Sequence, residues 1–387
     1  MIPYSKQHIF NKDIEAVTKV LKSKFLTQGP VVKKFEKRIS KYTNSRFSIA
    51  LNSGTSALHV ACLSIGLKKG DYLWTSAISF VASANCGAYC GAKIDFVDID
   101  LDTFNISISE LKKKLKNAKR QKKLPKVLVL VHLAGNPCNL SEIKKLSKLY
   151  NFMIIEDASH ALGSIYKKSK IGSCKYSDLT VFSFHPVKTI TSGEGGIITT
   201  NSKIFEKRSK IFREHGIVRE SASFLNNKSN LETHYEQQSL GYNYRLSEIN
   251  AALGLSQIKW IKKFILKRNL IHSYYKKKLV NFPIKFQKIN KNFYSSYHLS
   301  IILVPKEIRN KLFKELREKK YLVNIHYIPI FYHPFYKLKN SKKNQFLNSE
   351  QYYKSAISIP NFFLLTKKDQ IRFIKILKNF FKKNYNF

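Results

Sequence analysis

Lys126-Val-Leu-Val-Leu-Val-His-Leu133, Ser141-Glu-Ile-Lys-Lys-Leu-Ser-Lys-Leu-Tyr150 and Phe152-Met-Ile-Ile-Glu-Asp157 follow one another with little between them. The first and third are short apolar runs, as strands buried on both faces require. The middle segment reads as a helix. A strand–helix–strand unit of this kind places two parallel neighbours in one sheet.

The alternation extends in both directions. Upstream, 47–51, 72–75 and 94–98 read as strands, and 53–65, 80–89 and 109–115 as helices. Downstream, 179–184 and 196–200 read as two more strands. Ahead of the first strand, Asn11 can cap a helix with Ile14, Val17, Val20 and Leu21 on one face. A second helix follows Pro30, with Val32, Phe35 and Ile39 inward. From Ser247 the pattern changes. A long helix over 247–267 is followed by another through 274–278, strands at 300–304 and 322–326, and helices at 306–319 and 367–381. The expected architecture is α/β: a mainly parallel sheet covered by helices on both faces, with a smaller C-terminal α+β domain. The boundary falls near residue 255, giving domains over 1–255 (N-terminal segment included) and 256–387, with the long helix as the bridge. In such sheets ligands collect at the carboxyl ends of the strands.

Composition bounds the partners. The 387 residues include 69 Lys+Arg against 25 Asp+Glu, a formal charge of +44. A hydrophobic share of 43% supports a sizeable core, which excludes a disordered basic tail. The apolar runs are too short to span a bilayer, and the N-terminus lacks a signal-peptide pattern. Five Cys without paired spacing read as reduced thiols, placing the chain in the cytoplasm. The charge invites a nucleic-acid reading. Yet 58 of the 69 basic residues are Lys, and they are spread over almost every expected helix. Arg, the better reader of phosphates and bases, is the minority. No helix-turn-helix or RNA-binding signature precedes the fold. The excess reads as compositional bias, and neither nucleic acid nor membrane is an expected partner.

Three segments stand at expected ligand edges. Asn52-Ser-Gly-Thr-Ser-Ala57 joins a strand to a helix and forms an anion cup, although alone it reads equally as a capping turn on Ser53 or Thr55. Ile154-Ile-Glu-Asp-Ala-Ser-His160 ends an apolar strand in acids. Asp157 there suits a metal ligand, a base, the counter-charge of a cationic heterocycle or a helix cap. Ser183-Phe-His-Pro-Val-Lys188, followed by Thr189-Ile-Thr-Ser-Gly-Glu-Gly-Gly196, carries one Lys out of a buried strand into a Gly-rich turn. A shielded amine at that edge can become a nucleophile for Schiff-base chemistry. A metal site on His185 lacks a spaced partner, and a serine-hydrolase reading lacks the G-x-S-x-G elbow. No metal is expected.

In order, the chain carries Asn-Ser-Gly-Thr-Ser-Ala-Leu-His59, Thr75-Ser-Ala-Ile-Ser-Phe80, Glu156-Asp-Ala-Ser-His160, Ser183-Phe-His-Pro-Val-Lys188 and Gly241-Tyr-Asn-Tyr-Arg-Leu246. Together these motifs resemble the DegT/StrS family of pyridoxal-phosphate sugar aminotransferases, of type I aminotransferase fold, over essentially the whole chain. Lys24-Phe-Leu-Thr-Gln28, Ser159-His-Ala-Leu-Gly163, Glu214-His-Gly-Ile217 and Asn324-Ile-His-Tyr327 resemble the family's UDP-4-amino-4,6-dideoxy-N-acetyl-β-L-altrosamine transaminases of pseudaminic acid biosynthesis.

The resemblance implies roles. Lys188 is the Schiff-base lysine and proton carrier. Asp157 pairs with the pyridinium N–H of pyridoxal 5'-phosphate, which alternates with pyridoxamine phosphate. Phe80 stacks on the ring, His160 sits near its O3′ side, and Gly54, Thr55 and Ser183 hold the phosphate. Asn243 reaches that phosphate from a neighbouring subunit, so a homodimer with a shared site is implied. Tyr4, Lys24, Phe25, Leu26, Thr27, Asn324, Ile325, His326 and Tyr327 match contacts to a nucleotide sugar. The implied reaction moves an amino group from L-glutamate to the 4-keto group of a UDP-linked 6-deoxy N-acetylated hexulose. A dTDP- or GDP-linked 4-keto-6-deoxy sugar is the alternative. A sugar dehydratase of the same fold is disfavoured, because those enzymes place His where Lys188 stands. The Ala134-Gly-Asn136 loop resembles the family pattern and is a place where a change would alter sugar selection, and 219–237 reads as a polar loop near the site.

Overall fold

The computed structural model describes residues 1–225, 233–336 and 345–385. The expected loop over 219–237 is therefore described only in part, with 226–232 outside the described residues.

Seven strands form the central sheet, in the order Phe47–Leu51, Gly196–Thr200, Leu179–Ser183, Met153–Asp157, Val127–Val131, Tyr72–Ser76 and Lys93–Val97. Gly196–Thr200 is antiparallel to both of its neighbours, and the other strands run parallel. Successive side chains serve opposite cores, as the two-residue strand period dictates. Leu128, Leu130 and Ile154 enter one apolar cluster with Phe35 and Ile39 of the Pro30–Thr43 helix and Leu111 and Leu115 of the Ile108–Arg120 helix. Val127, Val129 and Ile155 enter the other, with Leu58, Ala61 and Cys62 of the Gly54–Ile65 helix and Cys86 of the Ala82–Tyr89 helix. Both faces are thus covered, which is why these strands tolerate no polar alternation.

Beyond residue 278 an antiparallel sheet of Lys285–Phe286, Ser300–Leu303 and Ala356–Ile359 packs with the Lys306–Glu318 and Lys367–Tyr385 helices around Leu312, Leu316, Phe373, Leu377 and Phe381. The chain's start joins this region. Ile2–Pro3 pairs in parallel with Tyr321–Leu322, and the Tyr4 N–H donates to the Leu322 carbonyl at 3.2 Å.

Three local expectations need correction. Asn11 opens its helix but does not cap it. The Phe10 N–H is held at 2.9 Å by the Asp13 carboxylate, and Ile14 and Leu21 point to solvent while Asp13 and Val20 are buried. The long helix over 247–267 is broken by a short 3-10 turn at Ile258–Trp260, between Glu248–Gln257 and Ile261–Lys278. There Gln257 turns inward to donate to the His8 carbonyl at 3.0 Å, and Trp260 packs on Phe10 with ring centroids 4.4 Å apart. The strand over 322–326 shrinks to Tyr321–Leu322, because its parallel partner is only two residues long.

Candidate active site

The carboxyl ends of the parallel strands converge on a cavity of about 510 Å³. It brings together twelve of the expected site residues: Tyr4, Gly54, Thr55, Phe80, Asp157, His160, Ser183, Lys188, Asn324, Ile325, His326 and Tyr327. Lys24, Phe25, Leu26, Thr27 and Asn243 are not in its wall. Phe25 and Leu26 are instead exposed, and Asn243 lies in a bridge to Glu214.

The anion cup is built at the start of the Gly54–Ile65 helix. The Ser53 hydroxyl accepts the Ser56 N–H at 3.0 Å, so the capping reading of this turn also holds. The N–H groups of Gly54 and Thr55 are not used by that cap and stay available at the positive end of the helix. Across from them Ser183 ends its strand. A Cβ on Gly54 would lie 2.9 Å from the Ser183 Cβ, so helix and strand approach this closely only because residue 54 has no side chain.

Asp157 ends the Met153–Asp157 strand and is buried. Its Oδ2 accepts the Ser83 hydroxyl at 2.6 Å. Its Oδ1 accepts the Ser159 hydroxyl at 2.6 Å and the Ser159 N–H at 3.1 Å. Ser83 in turn pairs with Ser79 at 2.7 Å. Asp157 therefore closes a local turn while its carboxylate, fixed on both oxygens, lines the cavity.

Lys188 leaves a turn in which its N–H donates to the His185 carbonyl at 2.9 Å. Its half-buried amine makes no side-chain hydrogen bond among the described residues. Burial pushes its pKa down to about 8, and the Asp157 charge offsets part of that fall. His160 sits behind the amine. Its Nδ1 accepts the Ala134 N–H at 3.3 Å, so the ring proton belongs on Nε2 and is donated to the Tyr327 hydroxyl oxygen at 3.1 Å. Burial, then Lys188 and His326, holds the His160 pKa well below its ordinary value, in keeping with a neutral ring. Burial also pushes the Tyr327 phenol up, so it keeps its proton.

These residues fit a phosphorylated, cationic aromatic ring carrying an aldehyde. The cup at Gly54 leaves no room for a side chain, and the same cavity is lined by a doubly anchored carboxylate and a shielded amine. The motif reading missed Ser83, Ser79 and Glu194, all of which act at or line this cavity. Ser83 carries no sequence signal, being one serine in a helix. Glu194 stood in the quoted Gly-rich turn.

A family model described as the DegT/DnrJ/EryC1/StrS aminotransferase family matches residues 7–378. The chain belongs to that family. The solved structure of Helicobacter pylori PseC, an aminotransferase involved in the biosynthesis of pseudoaminic acid, superposes with a TM-score of 0.89 at 30% identity, covering 99% of each chain. A putative sugar aminotransferase of Streptococcus pneumoniae, in its PMP form, gives 0.89 at 27% identity over 99% of this chain and 100% of its own. Among curated relatives, a UDP-4-amino-4,6-dideoxy-N-acetyl-β-L-altrosamine transaminase of Campylobacter jejuni is 38% identical, over 97% of this chain and 96% of its own. Family membership makes the chain an aminotransferase, and the architecture is the type I aminotransferase fold.

Proposed function

We propose that this enzyme transfers an amino group from L-glutamate to the 4-keto group of a UDP-linked 6-deoxy N-acetylated hexulose, using pyridoxal 5'-phosphate, in the pathway to pseudaminic acid. The observation that carries the reading is one cavity holding an unbonded, shielded Lys188 amine, a doubly anchored Asp157 and a wall formed by Tyr4 and 324–327. The likeness to the Campylobacter transaminase supports the sugar.

When bound, pyridoxal phosphate supplies an exchangeable carbonyl carbon and a protonated ring that withdraws electrons. The rest falls to the chain. Gly54, Thr55 and Ser183 hold the phosphate at the helix N-terminus. Asp157, its direction fixed by Ser83 and Ser159, would accept the ring N–H and keep that proton in place. Phe80, in the same cavity wall, would pack on the ring. Lys188, with a pKa near 8, can both release and recover a proton close to neutral pH. It takes the proton from Cα of the amino donor and later delivers one to C4 of the sugar. His160 stays neutral and orients Tyr327 through Nε2. Tyr4, Asn324, Ile325, His326 and Tyr327 receive the sugar nucleotide and shut out water on that side.

The site is completed by a second copy of the chain, with Asn243 of the partner subunit reaching the phosphate and the Lys24–Thr27 segment meeting the nucleotide sugar. Exposed Ile14, Leu21, Phe25 and Leu26 support an apolar contact of this kind. The reading also carries the division at 255/256 and a cytoplasmic location. Among the described residues no helix is long and apolar enough to cross a membrane.

A coupled assay with L-glutamate and a panel of UDP-, dTDP- and GDP-linked 4-keto-6-deoxy sugars tests the proposal. The highest kcat/KM is expected for the UDP-linked N-acetylated sugar. A preference for a dTDP- or GDP-linked sugar would overturn the substrate, and 2-oxoglutarate release without sugar amination would overturn the reaction.

A further inference from the structure

Three of the five cysteines gather at one place outside the cavity. Cys62 lies in the Gly54–Ile65 helix, and Cys86 and Cys90 lie in and just beyond the Ala82–Tyr89 helix. Cys62 and Cys86 are fully buried in the same apolar cluster, and half-buried Cys90 packs against it. Their thiols are not equivalent. Cys86 is occupied, donating to the Ser83 carbonyl at 3.3 Å. Cys62 interacts with both of the others and, buried, is pushed well above the usual thiol range. Cys90 is held down to about 6 by the Cys62 thiol first and by His59 after it.

His59 lies with its ring beside this group of thiols. It is 3% exposed, and its ring lies 5.2 Å from that of Tyr89, the residue before Cys90. Its Nδ1 pairs with the Tyr244 hydroxyl at 3.3 Å. Its Nε2 is buried without a partner. If Nδ1 accepts from Tyr244, Nε2 carries a proton with no acceptor, an arrangement that a nearby anion relieves. Cys90 is the anion-forming group that interacts with His59. No group of three or more His, Cys, Asp or Glu among the described residues is placed to hold a metal ion.

We propose that Cys90 is a modification site, a nucleophilic thiol that reacts with hydrogen peroxide and then forms a disulfide with Cys62. In the first step the Cys90 sulfur attacks a peroxide oxygen and the O–O bond breaks. The departing oxygen leaves as hydroxide and, with a proton, becomes water. Sulfur is oxidised by two electrons to the sulfenic acid as the peroxide is reduced. In the second step the Cys62 sulfur attacks the Cys90 sulfur, the S–S bond forms and the S–O bond breaks. The hydroxide released takes the Cys62 thiol proton and leaves as water. The low-pKa, half-exposed Cys90 is the attacking group, and the buried Cys62 is the resolving one. The new bond ties together the two helices that begin at the cavity wall.

The test uses the full chain with pyridoxal phosphate bound, reduced and freed of reductant. Equimolar hydrogen peroxide should yield a Cys62–Cys90 linked peptide in non-reducing mass spectrometry, two hydrogens lighter than the free pair and restored by dithiothreitol. Cys62→Ala should leave a dimedone-reactive Cys90, and Cys90→Ser should lose the link. Iodoacetamide labelling of wild-type Cys90 should have its midpoint near 6, against about 8.5 for a free thiol. His59→Gln should move that midpoint upward. A free, unmodified Cys90 after peroxide treatment, a link between other cysteines, or a labelling midpoint at the free-thiol value would each overturn the proposal.

Discussion

In the cofactor-free chain, burial pushes the Lys188 amine from 10.5 down to about 8. At pH 7 such an amine is neutral in about one molecule in ten, whereas an ordinary lysine is neutral in about one in 3,000. Only the neutral amine attacks an aldehyde. Lys188 should therefore combine with added pyridoxal phosphate roughly 300-fold faster at pH 7 than an exposed lysine of equal intrinsic reactivity. Stopped-flow absorbance on stripped protein reads this directly. The rate should climb about tenfold per pH unit below the midpoint and flatten above about 8. Asp157→Asn removes the one interaction that raises the Lys188 pKa, so the midpoint should move below 8, although the same change weakens the hold on the ring. The shift also enters stability. The folded pKa is depressed, so the unfolded chain binds more protons between about 8 and 10.5, and stability rises with pH across that window. Below it the cost is at most about 3 kcal/mol. Cofactor-free Lys188→Met should thus outlast wild type in urea at pH 7 and lose that advantage by pH 10.5. A reconstitution midpoint near 10.5, or a midpoint for Asp157→Asn higher than that of wild type, would refute the reasoning.

Two further outcomes follow from the cavity walls. Ser83→Ala removes a 2.6 Å hydrogen bond to Asp157, and a bond to a carboxylate contributes about 1.5–3 kcal/mol, so cofactor affinity should fall roughly 10- to 100-fold in a fluorescence titration. An unchanged Kd would count against Ser83 as the residue that orients Asp157. Gly54→Ala places a Cβ 2.9 Å from that of Ser183, an overpacking cost of about 1–3 kcal/mol, and should speed cofactor loss on dilution. Adding Ser183→Gly should recover the crowding part only, and no effect of Gly54→Ala would mean that the cup is looser than its geometry implies.

The central sheet was legible because its strands are apolar on both faces, a pattern that only a doubly covered sheet rewards. Val127–Val131 and Met153–Asp157 lie within a residue or two of where the sequence places them. The ends were less legible, since they depend on partners remote in sequence. Asp13 rather than Asn11 completes its helix start, and Gln257 turns toward His8, some 250 residues away. Within the site, Lys188 in its Gly-rich turn and Asp157 at a strand end stood out by position, and it was the family resemblance that gave them roles. Their supports did not stand out. Ser83 becomes a neighbour of Asp157 only through tertiary folding, and a serine alone carries no pattern; Tyr327 was expected at the nucleotide sugar, but its hydrogen bond to His160 had no sequence signal. Likewise, nothing in the spacing of Cys62, Cys86 and Cys90 announces that two helices bring them together.

The pairing of Ile2–Pro3 with Tyr321–Leu322 joins segments that a growing chain makes far apart in time. The cavity wall takes both Tyr4 and Asn324–Tyr327, segments about 320 residues apart in sequence. A nascent chain can complete the parallel sheet and present Lys188 well before residue 327 leaves the ribosome. Until then the amine faces an open trough, and the segment beginning at Ile2 has no strand to join. Closure of so long a loop comes late in folding. Lys188 is thus made early and enclosed late, so free aldehydes can reach it before the wall of Tyr4 and 324–327 exists.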